Sequence, residues 1–300
     1  MRVTNIKKKN QPFYASARIL SLAVLLTSFF LSGCLLGDDI ETLRQKAGFP
    51  VDYVIPGDSL MEKFNWLSEN AVNGGSYIIE AEYNETLSGL ERLGYNNMDV
   101  TITLKGGKTE KTINLSDNYR GSMFIITNMV TLILDNNITL IGHNNNSRAL
   151  ISVDTDSTLI MNAGVKITGN TNSDEYYSGG GIIIKDGGTF TMNGGTISVN
   201  SATLGGGVYL ENGTFTMNGG TILKNTADNG SGYGNGGGVY IGSGVFDKTG
   251  GLIFGSSGGN TAASVGHAVC AYDLKYRNDN VITNLSYNTH TGSESGIWNY

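Results

Sequence analysis

The chain has 300 residues, 39% of them hydrophobic and 15% charged, with 43 glycines, three prolines and two cysteines. Length and cysteine count exclude a small disulfide-stapled scaffold, the lack of a strict glycine triplet excludes collagen, and the hydrophobic fraction excludes a wholly disordered chain. A formal charge of −6 sets the protein against phosphate backbones and so against nucleic acid.

The first eighteen residues hold Arg2, Lys7, Lys8, Lys9 and Arg18 with no acidic residue, and lead into the apolar run Ile19 to Leu31. A basic flank before an apolar run too short for a firm membrane span has the form of a signal peptide, residues 1–33. The run ends in Leu31-Ser32-Gly33-Cys34, which resembles the lipobox of bacterial lipoproteins. The resemblance implies cleavage before Cys34, acylation of Cys34 and a mature chain held on a membrane by several acyl chains, a stronger grip than one chain gives. An ordinary secretory signal or a short anchor helix with an incidental cysteine is the competing reading. Loss of residues 1–33 removes five basic and no acidic residues and leaves a formal charge of about −11. With Cys34 lipidated, Cys270 is the one cysteine left and no internal disulfide can form. Leu35 follows the cysteine where no acidic retention residue stands. By resemblance to enterobacterial sorting, this favours the outer membrane or cell surface of a bacterial envelope. Residues 34–57 then form the lipidated N-terminus and tether.

Residues 58–300 are expected to form the folded domain. Ser59-Leu60-Met61-Glu62 reads as a capping box, with Leu60, Phe64, Leu67 and Ala71 on one face before Asn73-Gly74-Gly75 stops the helix. This helix, within residues 58–75, is expected to plug the first coil of a repeat region.

The repeat itself is plain in the later residues. Thr189-Phe190-Thr191-Met192-Asn193-Gly194-Gly195-Thr196-Ile197 recurs 25 residues later as Thr214 to Ile222, with all nine residues identical. Weaker copies make Leu132, Leu159, Phe190, Phe215 and Phe246 equivalent anchors, 27, 31, 25 and 31 residues apart. A second apolar stretch precedes each anchor (Ile182 to Ile184, Val208 to Leu210, Val239 to Ile241). A third comes after it, at Ile167, Ile197, Ile222 and Ile253. Three short strands per unit, separated by Gly or Asn, suit one coil of a parallel β-helix, with about eight coils in all. Stacked coils would align the anchors into one internal ladder and Leu134, Met161, Met192 and Met217 into a second. Asp135, Asn162, Asn193, Asn218 and Thr249 fall at one corner and Asn170, Asn200 and Asn225 at another, with His143 in an Asn position. Asn is expected there because it accepts left-handed backbone angles and can bond from coil to coil. All three prolines, Pro12, Pro50 and Pro56, precede the repeats, as strands paired on both edges require. Residues 273–300, with Trp298 and Tyr300, are expected to cap the far end.

These patterns, Gly-Gly-Gly-Val-Tyr at 205–209 and 236–240, the nonapeptide, and Gly266-His267-Ala268-Val269, resemble the right-handed parallel β-helix repeat surface lipoproteins of host-associated bacteria. They are more distantly similar to polymorphic outer membrane protein repeats and to the pectate-lyase-like fold. The resemblance implies an all-β, right-handed single-stranded parallel β-helix with an N-terminal capping helix, and a surface-exposed or adhesive role; handedness comes from the resemblance alone.

Catalytic patterns are sparse. His143, His267 and His290 lack metal spacing or a nearby nucleophile motif, and the Gly-Gly-Gly runs lack the helix and Lys-Ser/Thr of a phosphate loop. Cys270, alternating with Val269, is expected to point inward as an inert thiol. Asp154, Asp186 and Glu211 fall near one corner in successive coils as a weak candidate for a cation, against a plainer reading as solvated turn residues. The third turn is short at 201–204 but long at 171–178 and 226–235, so insertions should project from one edge, which in solenoids often binds. They carry Asp174, Glu175, Tyr176 and Tyr177, then Asp228 and Tyr233, and Tyr209 and Tyr240 lie outward on the strand beyond. Aromatic faces beside carboxylates suit a glycan or a host or extracellular protein, against an ordinary cross-strand stack. No cofactor is implied. The expectation is a non-catalytic, adhesin-like envelope protein; the alternatives are a polysaccharide lyase or glycosidase, by fold analogy, and a passive spacer.

Overall fold

The two nonapeptides lie side by side: Thr189–Met192 pairs in parallel with residues 214–217, Phe190 opposite Phe215 and Met192 opposite Met217. They belong to a computed structural model that describes residues 53–89, 92–174, 179–228, 230, 232–271, 275–278, 281–283 and 297–298. These belong to one compact unit, Asp52–Tyr300. The signal peptide, Cys34 and most of the expected tether lie outside the described residues.

The same pairing propagates through a parallel β-solenoid of about seven turns, one fewer than expected. The anchor row runs in register as Tyr77, Ile102, Leu132, Leu159, Phe190, Phe215 and Phe246. All seven are buried, and Phe190, Phe215 and Phe246 stack with ring centroids 4.8 and 4.9 Å apart. The second row runs from Ile79 through Leu104, Leu134, Met161, Met192 and Met217 to Lys248. Lys248 is buried where a methionine stands in the preceding coils, and burial pushes its ammonium pKa down. On the following face Ile113, Leu140, Ile167, Ile197, Ile222 and Ile253 align. On the preceding one, termed the lead face, Leu93, Ile126, Val153, Ile184, Leu210, Ile241 and Ala271 align. One apolar column therefore fills the solenoid, because inward residues alternate with outward ones on every strand.

The helix α1 (Leu60–Asn70) carries the expected capping box between Ser59 and Glu62. Its Leu60, Phe64 and Leu67 join the core, with Phe64 5.8 Å from the Phe124 ring. The solenoid reaches back into the expected tether: Tyr53–Val54 pairs in parallel with the strand at Gly75–Ala81, and Ile55 is buried. At the other end the pairing changes direction. Lys275–Asn278 pairs antiparallel with Val281–Thr283, and Ile297–Trp298 with Leu252–Phe254, which occupies edges that a further coil would extend. Tyr300 lies outside the described residues.

The corners hold two amide ladders. The outer one is exposed: Asn162 donates to Asp135, Asn193 to Asn162, Asn218 to Asn193, and Thr249 to Asn218, over 2.8–3.2 Å. The inner one is buried. Its side-chain amides donate from Asn146 to Asn170, from Asn200 to Asn225 and from Asn225 to Asn260, and the Asn170, Asn200 and Asn225 backbone N–H groups donate to the next Asn Oδ1. His143 holds the backbone place of an Asn in this corner, as expected, since its carbonyl accepts from the Thr171 N–H as that of Asn170 does from Ser201. Its Nε2 lies 2.7 Å from the Tyr119 carbonyl, and Asn146, opposite Asn172, supplies the side-chain amide. The asparagines themselves do not take left-handed angles. The residues before Asn170, Asn200, Asn225 and Asn260 do: Gly169, Val199, Lys224 and Gly259, at φ 74°, 58°, 56° and 82°. Beyond this corner a short three-stranded sheet, Ser201–Ala202, Thr226–Ala227 and Thr261–Ala262, adds a fourth strand to the expected three-strand coil.

Asn225 Nδ2 serves the Ile197 and Leu223 carbonyls, so Asn225→Ala is expected to cost about 2–4 kcal/mol against under ~1 kcal/mol for exposed Asn193→Ala. Urea midpoints measure this, and equal losses would remove the inner ladder as a brace. Val199, exposed and β-branched at φ 58°, should gain about 1 kcal/mol as Val199→Gly, after the entropy cost of glycine; an unchanged or lower midpoint would show that the left-handed corner carries no strain.

Candidate functional site

The outward row of the lead face runs Arg92, Ile125, Ser152, Ile183, Tyr209, Tyr240 and Cys270. This places Cys270 outward, contrary to the alternation expected from sequence, since Val269 and Ala271 take the inward positions; the thiol is nevertheless buried. Tyr209 and Tyr240 pack with centroids 5.5 Å apart, and Tyr240 is buried. Burial and the neighbouring Glu211 charge hold the Tyr209 phenol pKa above its usual value. This pair behaves as a cross-strand stack.

Earlier in the same row a groove of about 260 Å³ opens over Ile125, Ser152 and Ile183. One wall is the corner Tyr119 to Ser122, another is Arg148 and Ala149 from the next coil, and Lys185 closes an end. The inner ladder fixes both walls through the backbone. Asn146 Nδ2 donates to the Gly121 carbonyl at 3.0 Å and to the Arg148 carbonyl at 3.1 Å, and Asn170 Nδ2 donates to the same Arg148 carbonyl at 2.8 Å. The groove is therefore an extension of the scaffold, and its shape is set before any ligand arrives.

Its polar groups are ordered in pairs. Ser152 Oγ donates to Asp154 Oδ1 at 2.6 Å, and Lys185 Nζ lies 3.2 Å from the same oxygen. Arg148 Nη1 lies 2.6 Å from Asp174 Oδ2, so the first insertion touches the groove wall. Arg120 is exposed and donates through Nη2 to Asn145 Oδ1 at 2.9 Å. Chemically the arrangement offers cationic donors around an apolar floor. Ser152 faces a carboxylate already paired with a lysine, and no imidazole is among the partners that accept its proton.

The acidic corner differs from expectation. One step beyond the paired Val153, Ile184 and Leu210 stand Asp154, Lys185 and Glu211. The row thus alternates in sign, while Asp186 falls one residue later and accepts from Asn212. Among the described residues, no three His, Cys, Asp or Glu side chains group to hold a metal ion. Of the expected insertion residues, Asp174 reaches the groove, Tyr233 is 48% exposed on the other insertion, and Asp228 accepts from the Gly230 N–H. Glu175, Tyr176 and Tyr177 lie outside the described residues.

The sequence reading missed Arg120, Arg148, Lys185 and Ser152. Spacing gave no signal: Arg92, Arg120 and Arg148 stand 28 residues apart, but Arg92 lies opposite Ile125, and Arg120 and Arg148 hold different places in their coils. Comparison with protein-family models, with curated proteins and with solved structures found no match.

Proposed function

We propose that this chain is an envelope protein, tethered through lipid on Cys34, whose β-solenoid holds out a preformed groove that binds ligand without transforming it. The observation that carries this reading is the groove itself: an apolar floor across three coils, ringed by polar side chains, with walls pinned by Asn146 and Asn170. Concave sites of this make-up, with a few fixed polar groups around an apolar surface, are where solenoids and other rigid scaffolds bind. The lipobox-like Leu31-Ser32-Gly33-Cys34 supports the tether. A surface glycan or an extracellular protein remains the class of partner, and the insertion bearing Asp174 meets the groove wall at Arg148.

The lyase alternative has one observation in its favour, three cations beside one groove. A lyase needs a base with room to approach the substrate, however, and Lys185 Nζ is already engaged by Asp154, 3.2 Å away.

Two measurements test the proposal. Radiolabelled palmitate should label the wild-type chain and not Cys34→Ala; equal labelling of both would remove the lipid tether. The detergent-solubilised protein on a glycan and extracellular-matrix array should bind without releasing reducing or unsaturated sugar ends from the same polysaccharides. Release would establish the enzyme instead.

A further inference from the structure

We propose that the groove selects acidic saccharides and that Arg120 reads their charge. The inference rests on the reading of the groove as a binding site and adds the chemistry of its ligand.

Charge sets the groove apart from the rest of the molecule. The whole chain is acidic, at a formal −6, yet Arg120, Arg148 and Lys185 all line this one groove. Two of the three are engaged within the fold: Arg148 by Asp174 and Lys185 by Asp154. Arg120 is different. It donates to a neutral amide oxygen, that of Asn145 at 2.9 Å, and among the described residues no carboxylate lies within ion-pair distance of it. The amide steadies the guanidinium and leaves its charge uncompensated at the groove mouth. A guanidinium held in this way presents parallel N–H donors to a carboxylate or sulfate.

The floor argues for a sugar. Ile125, Ser152 and Ile183 sit on adjacent strands, about 4.8 Å apart, a step comparable with one unit of an extended pyranose chain. Apolar, hydroxyl, apolar is the alternation that a sugar ring, with its C–H face and equatorial hydroxyls, can follow. The volume of about 260 Å³ lies below the roughly 300–1,000 Å³ typical of drug-sized sites, which suits a short stretch of a chain laid across the coils. An extended peptide would instead seek an open sheet edge for its backbone. Every strand under the groove is paired on both sides, so the floor offers side chains and no open edge.

Calorimetric titration of the full-length protein in detergent tests this, with three probes of equal length: an oligogalacturonate, a sulfated oligosaccharide and a neutral oligogalactoside. A glutamate oligopeptide serves as a fourth. The acidic sugars should bind at least tenfold more tightly than the neutral one, and Arg120→Gln should reduce them to the neutral level. Arg120 is exposed, so an unchanged unfolding midpoint will confirm that the variant folds. Which of the two acidic probes binds better distinguishes carboxylate from sulfate as the natural group. Ile125→Trp, which fills the floor, should abolish binding of acidic and neutral sugars alike.

Equal affinity for neutral and acidic sugars, or full acidic binding by Arg120→Gln, would overturn the charge selection. If Ile125→Trp still abolished binding, the groove would stand as the site. Equal binding of the glutamate peptide would overturn the sugar. No binding of any probe would overturn the inference, and only a blank on the whole array would also remove the groove function.

Discussion

The buried amide ladder from Asn146 to Asn260 is the interaction on which this molecule depends. A chain that turns inward to begin a new strand carries peptide groups away from the strand pairing, and a buried peptide group without a partner costs free energy on the scale of a lost hydrogen bond. Asn has a donor and an acceptor on a side chain short enough to serve its own corner and the next coil together. Asn200 takes the Ile167 carbonyl and meets Asn225, and Asn225 takes the Ile197 carbonyl and meets Asn260. Each corner is thus completed by its neighbour, and a single coil would leave its own peptide groups unserved.

The same ladder connects structure to function. At its N-terminal end it runs out of repeats, and the amides that would serve a regular corner serve Gly121 and Arg148 instead. The walls of the groove are therefore as firmly held as the coil corners. Preformed walls spare a ligand the entropy of ordering them, which is the advantage a rigid solenoid has over a loop as a platform. The pairs Arg148–Asp174 and Lys185–Asp154 add direction at the rim, where solvent keeps their contribution to stability small.

Much of this fold was legible in the residues. The nine-residue identity fixed which strands pair, and the alternation Phe190, Thr191, Met192 fixed which side chains point inward, so both internal rows and the outer Asp135 to Thr249 ladder follow from spacing alone. Corners were harder. The left-handed angle falls on Val199 and Lys224, which have no turn signature, because the Asn that follows makes the hydrogen bonds. Register across a corner of uneven length was harder still: Lys185 stands between Asp154 and Glu211 where Asp186 was expected, and Cys270 follows Tyr240 outward. The groove was the least legible part. Its residues come from corners and strands of three coils that share no motif, and no repeat spacing marks them.

Because every coil meets the next through the same rows, the length of this solenoid is a quantised property. A whole coil can be added or removed, about 4.8 Å at a time, without a new solution for the core. The groove spans successive coils through residues of 119–125, 148–152 and 183–185 and does not tolerate such a change within it. The identical stretches at 189–197 and 214–222 lie outside it. Copy number in that half and chemistry in the other are separate variables, so related chains could differ in reach while presenting the same site.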